Sequence, residues 1–215
     1  FAKFFSKSYY FDTLINSFKV SITATVLSIA IGTPLAYLFT IFKIKGKGVL
    51  NILIVVASMS APFIGAYSWI LLLGRSGVIT TFFKNLGIAI PDIYGFGGIV
   101  LVMTLQLFPL VFLYAKGALK NIDNSLIEAA ENLGCSGIAC FFKVVVPLIM
   151  PTLLAAALLV FMRSFADFGT PMLIGEGYRT FPVVLYTEFI NEVGGSDGFA
   201  AAIAVIAIVI TTLVF

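Results

Sequence analysis

Charge-free stretches divide this chain. No Asp, Glu, Lys or Arg occurs in residues 20–42, 48–74, 93–115, 144–162 or 198–215. A helix needs roughly 20 apolar residues to cross about 30 Å of hydrocarbon. Four of the stretches are long enough, and the fifth is cut off by the end of the sequence. The pattern predicts five crossings: about Leu14 to Phe42, Val49 to Leu73, Ile99 to Ala115, Val144 to Phe168, and from Phe199 onward. The expected fold class is all-α, a polytopic membrane helical bundle.

The first segment carries Ser17, Ser21, Thr23, Thr25, Ser28 and Gly32. Small and hydroxyl side chains let membrane helices approach closely and can bond back to their own helix. Pro34 weakens that helix near one end. In the second segment, Pro62 and Gly65 predict a kink, while Tyr67 and Trp69 suit an interfacial belt. Residues 74–98 read as a mixed loop with a short surface helix in its middle. The third segment contains Gln106 and Pro109, which suit a kink facing the translocation path or an interhelical hydrogen bond. Residues 169–198 are polar and glycine-rich around a short periodic piece, "TFPVVLYTEFINE".

Composition agrees with the pattern. Hydrophobic residues are 60% of the chain and charged residues 11%, against about a quarter charged in soluble domains. A net charge of +3 is too small to argue for nucleic acid. There is no histidine, which removes the commonest general base and metal ligand. Cys135 and Cys140 share one loop and show no metal-ligand spacing. Neither a catalytic residue nor a metal site is expected. Five crossings put Lys43, Lys45, Lys47, Lys116, Lys120 and Lys143 on one side, against Arg75, Lys84, Arg163 and Arg179 on the other. The N-terminal flank adds Lys3, Lys7 and Lys19 to the second group. Without that flank, the lysine-rich turn leans towards the cytoplasm.

The most polar interruption is "NIDNSLIEAAENLGCSGIACFFKVVVP", Asn121 to Pro147. Ser125 and Glu128 have capping-box spacing, and Asp123 is a rival N-cap. Gly134 suits the left-handed position that ends a helix. Ser136 can cap a second short helix through "GIACFFK", and Pro147 falls in the first turn of the crossing helix. Glu128 and Glu131 share a face. By local pattern alone, a plain solvated loop helix fits equally well.

The longer spacing resembles the EAA loop of permeases in binding-protein-dependent ABC importers, E-A-A-x3-G-x9-[IV]-x-[LV]-P. Glu128, Ala129, Ala130, Gly134, Val144, Val146 and Pro147 match every fixed position. "LINSFKVSITATVLSIAIGTPLAY" also resembles the start of that core. The resemblance implies a five-crossing type I importer core in the bacterial cytoplasmic (inner) membrane, with a cytoplasmic EAA loop. Residues 1–215 are then a single transmembrane domain, a fragment compatible with one half of a tandem permease. Glu128, Ala129, Ala130, Glu131, Gly134 and Pro147 would form the coupling element that docks on an ABC ATPase dimer. The other implied partners are an extracytoplasmic solute-binding protein, a second permease core and the lipid bilayer. No cofactor is implied in this chain; ATP and magnesium would be used by the partner subunit, and this chain would not be an enzyme.

"FMRSFADFGTPMLIGEGYRTFPVVLYTEFINEVGG" is similar to the ferric-iron permeases and their relatives for polyamines, thiamine, phosphonates and sugar phosphates. Within 163–197, Arg163 and Arg179 face Asp167, Glu176, Glu188, Glu192 and Asp197, a formal −3. An acidic mouth suits a cation; the plainer alternative is a surface facing water or the binding protein. Asp167 should lie at the outer end of the fourth segment and line the gate, with Arg163 one turn earlier pairing with it or snorkelling. Two other classes fit less well. A membrane enzyme lacks a nucleophile elbow here. An ion-gradient carrier would place ionisable groups inside the crossings, and the charge-free stretches oppose that.

Overall fold

Helix α1 spans Ser8–Ile41 with Pro34 inside it. The computed structural model describes residues 8–42, 45–59, 61–88, 91–135 and 137–191, with positions 205, 208, 209 and 212. After α1 come α2 (Lys47–Ser58), α3 (Pro62–Leu73), α4 (Val78–Asn85), α5 (Phe96–Lys120) and α6 (Asn124–Asn132). Helix α7 (Gly137–Cys140) runs through a π turn, Phe141–Val145, into α8 (Val146–Ala166). Two shorter helices, α9 (Gly169–Ile174) and α10 (Phe181–Asn191), follow. No strand occurs among the described residues.

Among the described residues, four helical stretches are long and apolar enough to cross a membrane: Tyr9–Ile41, Phe63–Asn85, Phe96–Lys120 and Gly137–Ala166. The fifth expected crossing lies outside the described residues except at 205, 208, 209 and 212, which are helical.

The second crossing differs from the single kinked helix expected over 49–73. Helix α2 ends at Ser58 and α3 begins at Pro62, with 12 residues in each. At 1.5 Å per residue each covers about 18 Å, short of the hydrocarbon thickness. Pro62 explains the new helix start. It has no N–H to continue the ladder and restricts the residue before it, yet it is well suited to open a helix. The apolar stretch that reaches membrane length is α3 with α4, interrupted at 74–77. The short helix expected within 74–98 is α4.

The chain packs as two units, one of residues 1–21, 62–100 and 165–215, the other of 22–61 and 101–164. In the second unit, the later part of α1 lies against α5. A Cβ added at Gly32 would stand 2.9 Å from the Phe108 carbonyl and 2.9 Å from the Val111 Cβ. Only glycine allows that approach, as the small-residue pattern of the first segment implies. Around the contact, the Phe39 and Phe112 rings meet edge to face at 5.2 Å, and Tyr37 and Phe141 meet at 4.6 Å. Ala36, Val111, Ala115, Val145, Ile149, Leu153 and Val160 complete a buried core. Met150, Leu154, Leu158 and Met162 form an exposed stripe on α8 at steps of four, the face an apolar solvent requires.

In the first unit, α3, α9 and α10 stack through aromatic rings: Phe63–Phe168 at 5.5 Å and Phe168–Tyr186 at 4.3 Å. The loop into α10 is strapped to the start of α1. The Phe181 N–H donates to Ser17 Oγ at 2.7 Å, and Asn16 donates to the Arg179 carbonyl at 3.2 Å. Tyr10, Phe181 and Val184 bury the join.

Candidate functional site

The loop between α5 and α8 folds into a capped hairpin. The Ser125 N–H donates to the Asp123 carboxylate at 3.0 Å, so Asp123 is the N-cap of α6. That settles the choice between Asp123 and the Ser125 capping box. The same bonding holds the Asp123 carboxyl below its ordinary pKa. At the other end, Gly134 has φ +85°, and the Cys135 N–H reaches back to the Ala130 carbonyl at 3.0 Å. This is the six-to-one bond of a Schellman closure, and it needs the left-handed residue between its ends.

The hairpin is open to solvent. Glu128 and Ala129 are exposed and Ala130 is half-buried. Glu128 makes no ion pair among the described residues. Leu133 is 89% exposed and Ile138 78%, large apolar groups outside the spans or at the edge of one. The backbone of Glu131 continues the helix; its side chain and Ser136 are outside the described residues. Pro147 is the second residue of α8, as the sequence predicts, but the helix does not begin there. It begins at Gly137, and the Val146 N–H donates to the Phe141 carbonyl five residues back. A proline at 147 cannot donate to the carbonyl at 143 and crowds it. Widening the preceding turn to π register is one of the recognised ways a helix absorbs such a break.

The remaining candidates occupy different settings. The Asp167 carboxylate accepts N–H groups from Gly169 at 2.9 Å and Thr170 at 3.5 Å, capping α9. Burial raises its pKa, against the opposing hydrogen bonds from Thr170 and Gly169. Arg163 is exposed and has no ion pair among the described residues, so the expected pairing with Asp167 is absent. The Gln106 Nε2 atom is buried without a hydrogen-bond partner among the described residues. Its expected interhelical bond is therefore not made by that nitrogen. Three residues on, Pro109 sits inside α5 and leaves the carbonyl at 105 without its usual donor.

The acids expected to form a mouth are engaged locally. Glu176 accepts from Arg75 at 2.7 Å, and Arg75 also donates to Asp92 at 3.0 Å. Glu188 accepts from the Tyr10 hydroxyl at 3.2 Å. Glu192 and Asp197 lie outside the described residues. The sequence reading missed Arg75 as the residue that gathers three loops, because its partners stand 17 and 101 positions away. Arg75 also lies over the Tyr94 ring, 4.8 Å from its centroid.

The described residues form a helical membrane core with an exposed, doubly capped hairpin between two of its spans. Residues 10–215 match the family model described as the inner membrane component of binding-protein-dependent transport systems, and the chain belongs to that family. It is 28% identical over 183 residues to a ferric transport system permease of Actinobacillus pleuropneumoniae, covering 84% of this chain and 26% of the relative. The chain thus spans about a quarter of that relative's length. It is 29% identical over 208 residues to a molybdenum transport system permease of Escherichia coli, covering 94% of this chain and 89% of the relative. Its fold is similar to that of a bacterial ABC transporter involved in import of the acidic polysaccharide alginate, with a TM-score of 0.72 at 13% identity over 99% of this chain and 78% of that one.

Proposed function

We propose that this chain forms the translocation path of an ATP-driven importer and couples to its ATPase through the 123–140 hairpin. The observation that carries the reading is the closed, exposed helix from Asp123 to Gly134. A short helix transmits a push only if both ends are fixed. Here Asp123 fixes one end, and Gly134 with the Cys135–Ala130 bond fixes the other. Ala129 allows close approach, Glu128 offers a charge-assisted contact to a basic partner, and Leu133 and Ile138 supply apolar contact. The continuous helix from Gly137 to Ala166 carries displacement into the membrane. Closure of the ATPase dimer would then bias the core between outward and inward states. ATP and magnesium belong to that partner, with a solute-binding protein and a second permease core completing the transporter.

Ferric iron is the first proposed cargo, supported by "ADFGTP" and "YRT" and by the similarity to a ferric permease. A molybdenum oxyanion is the second, favoured by the near full-length match to a molybdenum permease and by the internal engagement of Glu176, Glu188 and Asp167. Asp167 serves the outer end by holding α9 in place rather than by presenting a free charge. The deciding experiment reconstitutes the permease with its ATPase and binding protein in proteoliposomes. Uptake should require ATP hydrolysis, and uptake without nucleotide would point to a gradient-driven carrier. Titrating the binding protein with ferric ion and with molybdate separates the two cargoes.

A further inference from the structure

Three lysines meet where α5 ends and α2 begins. Lys116 donates from Nζ to Asn51 Oδ1, one turn along α2 from Lys47. Its ammonium also lies 5.4 Å from the centroid of the Phe112 ring. Both partners are neutral. Among the described residues, the charged groups whose fields act on Lys116 are Lys120 and Lys47, and both repel it. No carboxylate pairs with any of the three among the described residues. Lys116 and Lys47 are half-buried, and Lys116 is met there by neutral groups rather than by an opposite charge.

The surroundings fix the kind of counter-charge that fits. The apolar span Phe96–Lys120 ends at these lysines, which places them at headgroup level. Helix α2 buries none of its residues. It leaves Val49, Ile52, Leu53 and Val56 exposed directly after Lys47. An acidic protein loop could neutralise the lysines but would leave that apolar surface bare. A molecule with an anionic head and hydrocarbon tails satisfies both parts.

We propose that Lys47, Lys116, Lys120 and Asn51 form a headgroup site for an anionic phospholipid, whose acyl chains lie along the exposed face of α2. The site depends on the chain spanning a membrane and not on the coupling role of the hairpin, so the test reads lipid rather than transport. Each lysine near a charged headgroup contributes roughly a fivefold preference, weakened by salt.

The experiment takes the assembled transporter from an equimolar mixture of phosphatidylglycerol and phosphatidylcholine with matched chains. Native mass spectrometry then counts the lipids retained. The wild type should hold phosphatidylglycerol preferentially. K47Q/K120Q should lose that preference by roughly fivefold per lysine. Lys116→Arg should keep it and Lys116→Gln reduce it. Equal retention of both lipids by the wild type would overturn the proposal. So would an unchanged preference in K47Q/K120Q, including the case where that variant instead loses its ATPase, which would assign the lysines to the protein partner. Displacement of the lipid by millimolar inorganic phosphate would also overturn it, by showing that the tails contribute nothing.

Discussion

The Cys135 N–H donates to the Ala130 carbonyl at 3.0 Å, with Gly134 between them at φ +85°. This bond closes the C-terminus of α6, three residues before Gly137, where the helix leading into the membrane begins. A Cβ at 134 would meet no atom within 4 Å, so space is not the constraint. The backbone conformation is. Gly134→Leu is expected to cost about 1–2 kcal/mol at that residue and to loosen the hairpin. ATP hydrolysis and uptake, measured together in proteoliposomes, should separate, with hydrolysis continuing and uptake falling. Gly134→Asn should keep most of the coupling, because Asn tolerates the left-handed region. Equal coupling in Gly134→Leu and wild type would remove the closure from the account.

Glu128 is exposed with no ion pair among the described residues. Reversing its charge should cost the fold nothing and the partner contact a great deal. Glu128→Lys is expected to leave thermal stability within about 0.5 kcal/mol. It should weaken copurification of the ATPase by about tenfold or more, the loss expected when a charged contact becomes repulsive. A Glu128→Lys variant that holds its ATPase normally would assign the residue to water.

At Gly32 the constraint is space. The Phe108 carbonyl and the Val111 Cβ each lie 2.9 Å from where a Cβ would stand. Gly32→Leu should separate α1 from α5 and cost at least about 1–3 kcal/mol. A Cβ added at Gly117 on α5 meets nothing within 4 Å, so Gly117→Leu is the matched control. Thermal unfolding of the detergent-purified complex should show a lowered midpoint for Gly32→Leu only. A midpoint unchanged by Gly32→Leu would mean the two helices do not meet there.

Asp167 carries a pH signature. Burial raises its folded-state pKa above the ordinary aspartate value. The stability this group contributes is therefore complete below the ordinary aspartate range and is lost as pH rises through the raised value. Asp167→Asn keeps an oxygen to accept the Gly169 and Thr170 N–H groups but cannot ionise. It should flatten the pH dependence of unfolding across the acidic range, with uptake preserved at neutral pH. Asp167→Ala should lose the cap, about 1 kcal/mol. Abolished uptake in Asp167→Asn at normal expression would instead mark the charge itself as part of the path.

What the sequence made legible follows from the range of the interactions. Asp123, Gly134 and Pro147 act within a turn of themselves, so the hairpin could be read from spacing and cap chemistry alone. Gly32 was legible as a small residue in an apolar run, although its facing partners, Phe108 and Val111, were not. That a new helix starts at Pro62 was not legible, since the same proline can kink a helix or start one. The π turn was hidden because it is a response to Pro147 rather than a residue preference. Arg75, Asp92 and Glu176 were invisible as a group, because nothing local joins positions 75 and 176. The local engagement of the acids in 163–197 was hidden for a related reason. Formal charge is countable in a sequence, but whether Glu188 is already held by Tyr10 is not.

The central claim is that the 123–140 hairpin touches the ATPase. A photo-activatable cross-linker at Leu133, the most exposed apolar side chain described in the hairpin, tests it most directly in the assembled transporter. Leu133 should cross-link to the ATPase subunit in high yield, with a yield that changes when ATP closes the dimer. The same probe at Leu154, on the exposed stripe of α8, should label lipid or a second permease core instead. Labelling of lipid alone from Leu133, with the ATPase present and active, would contradict the account.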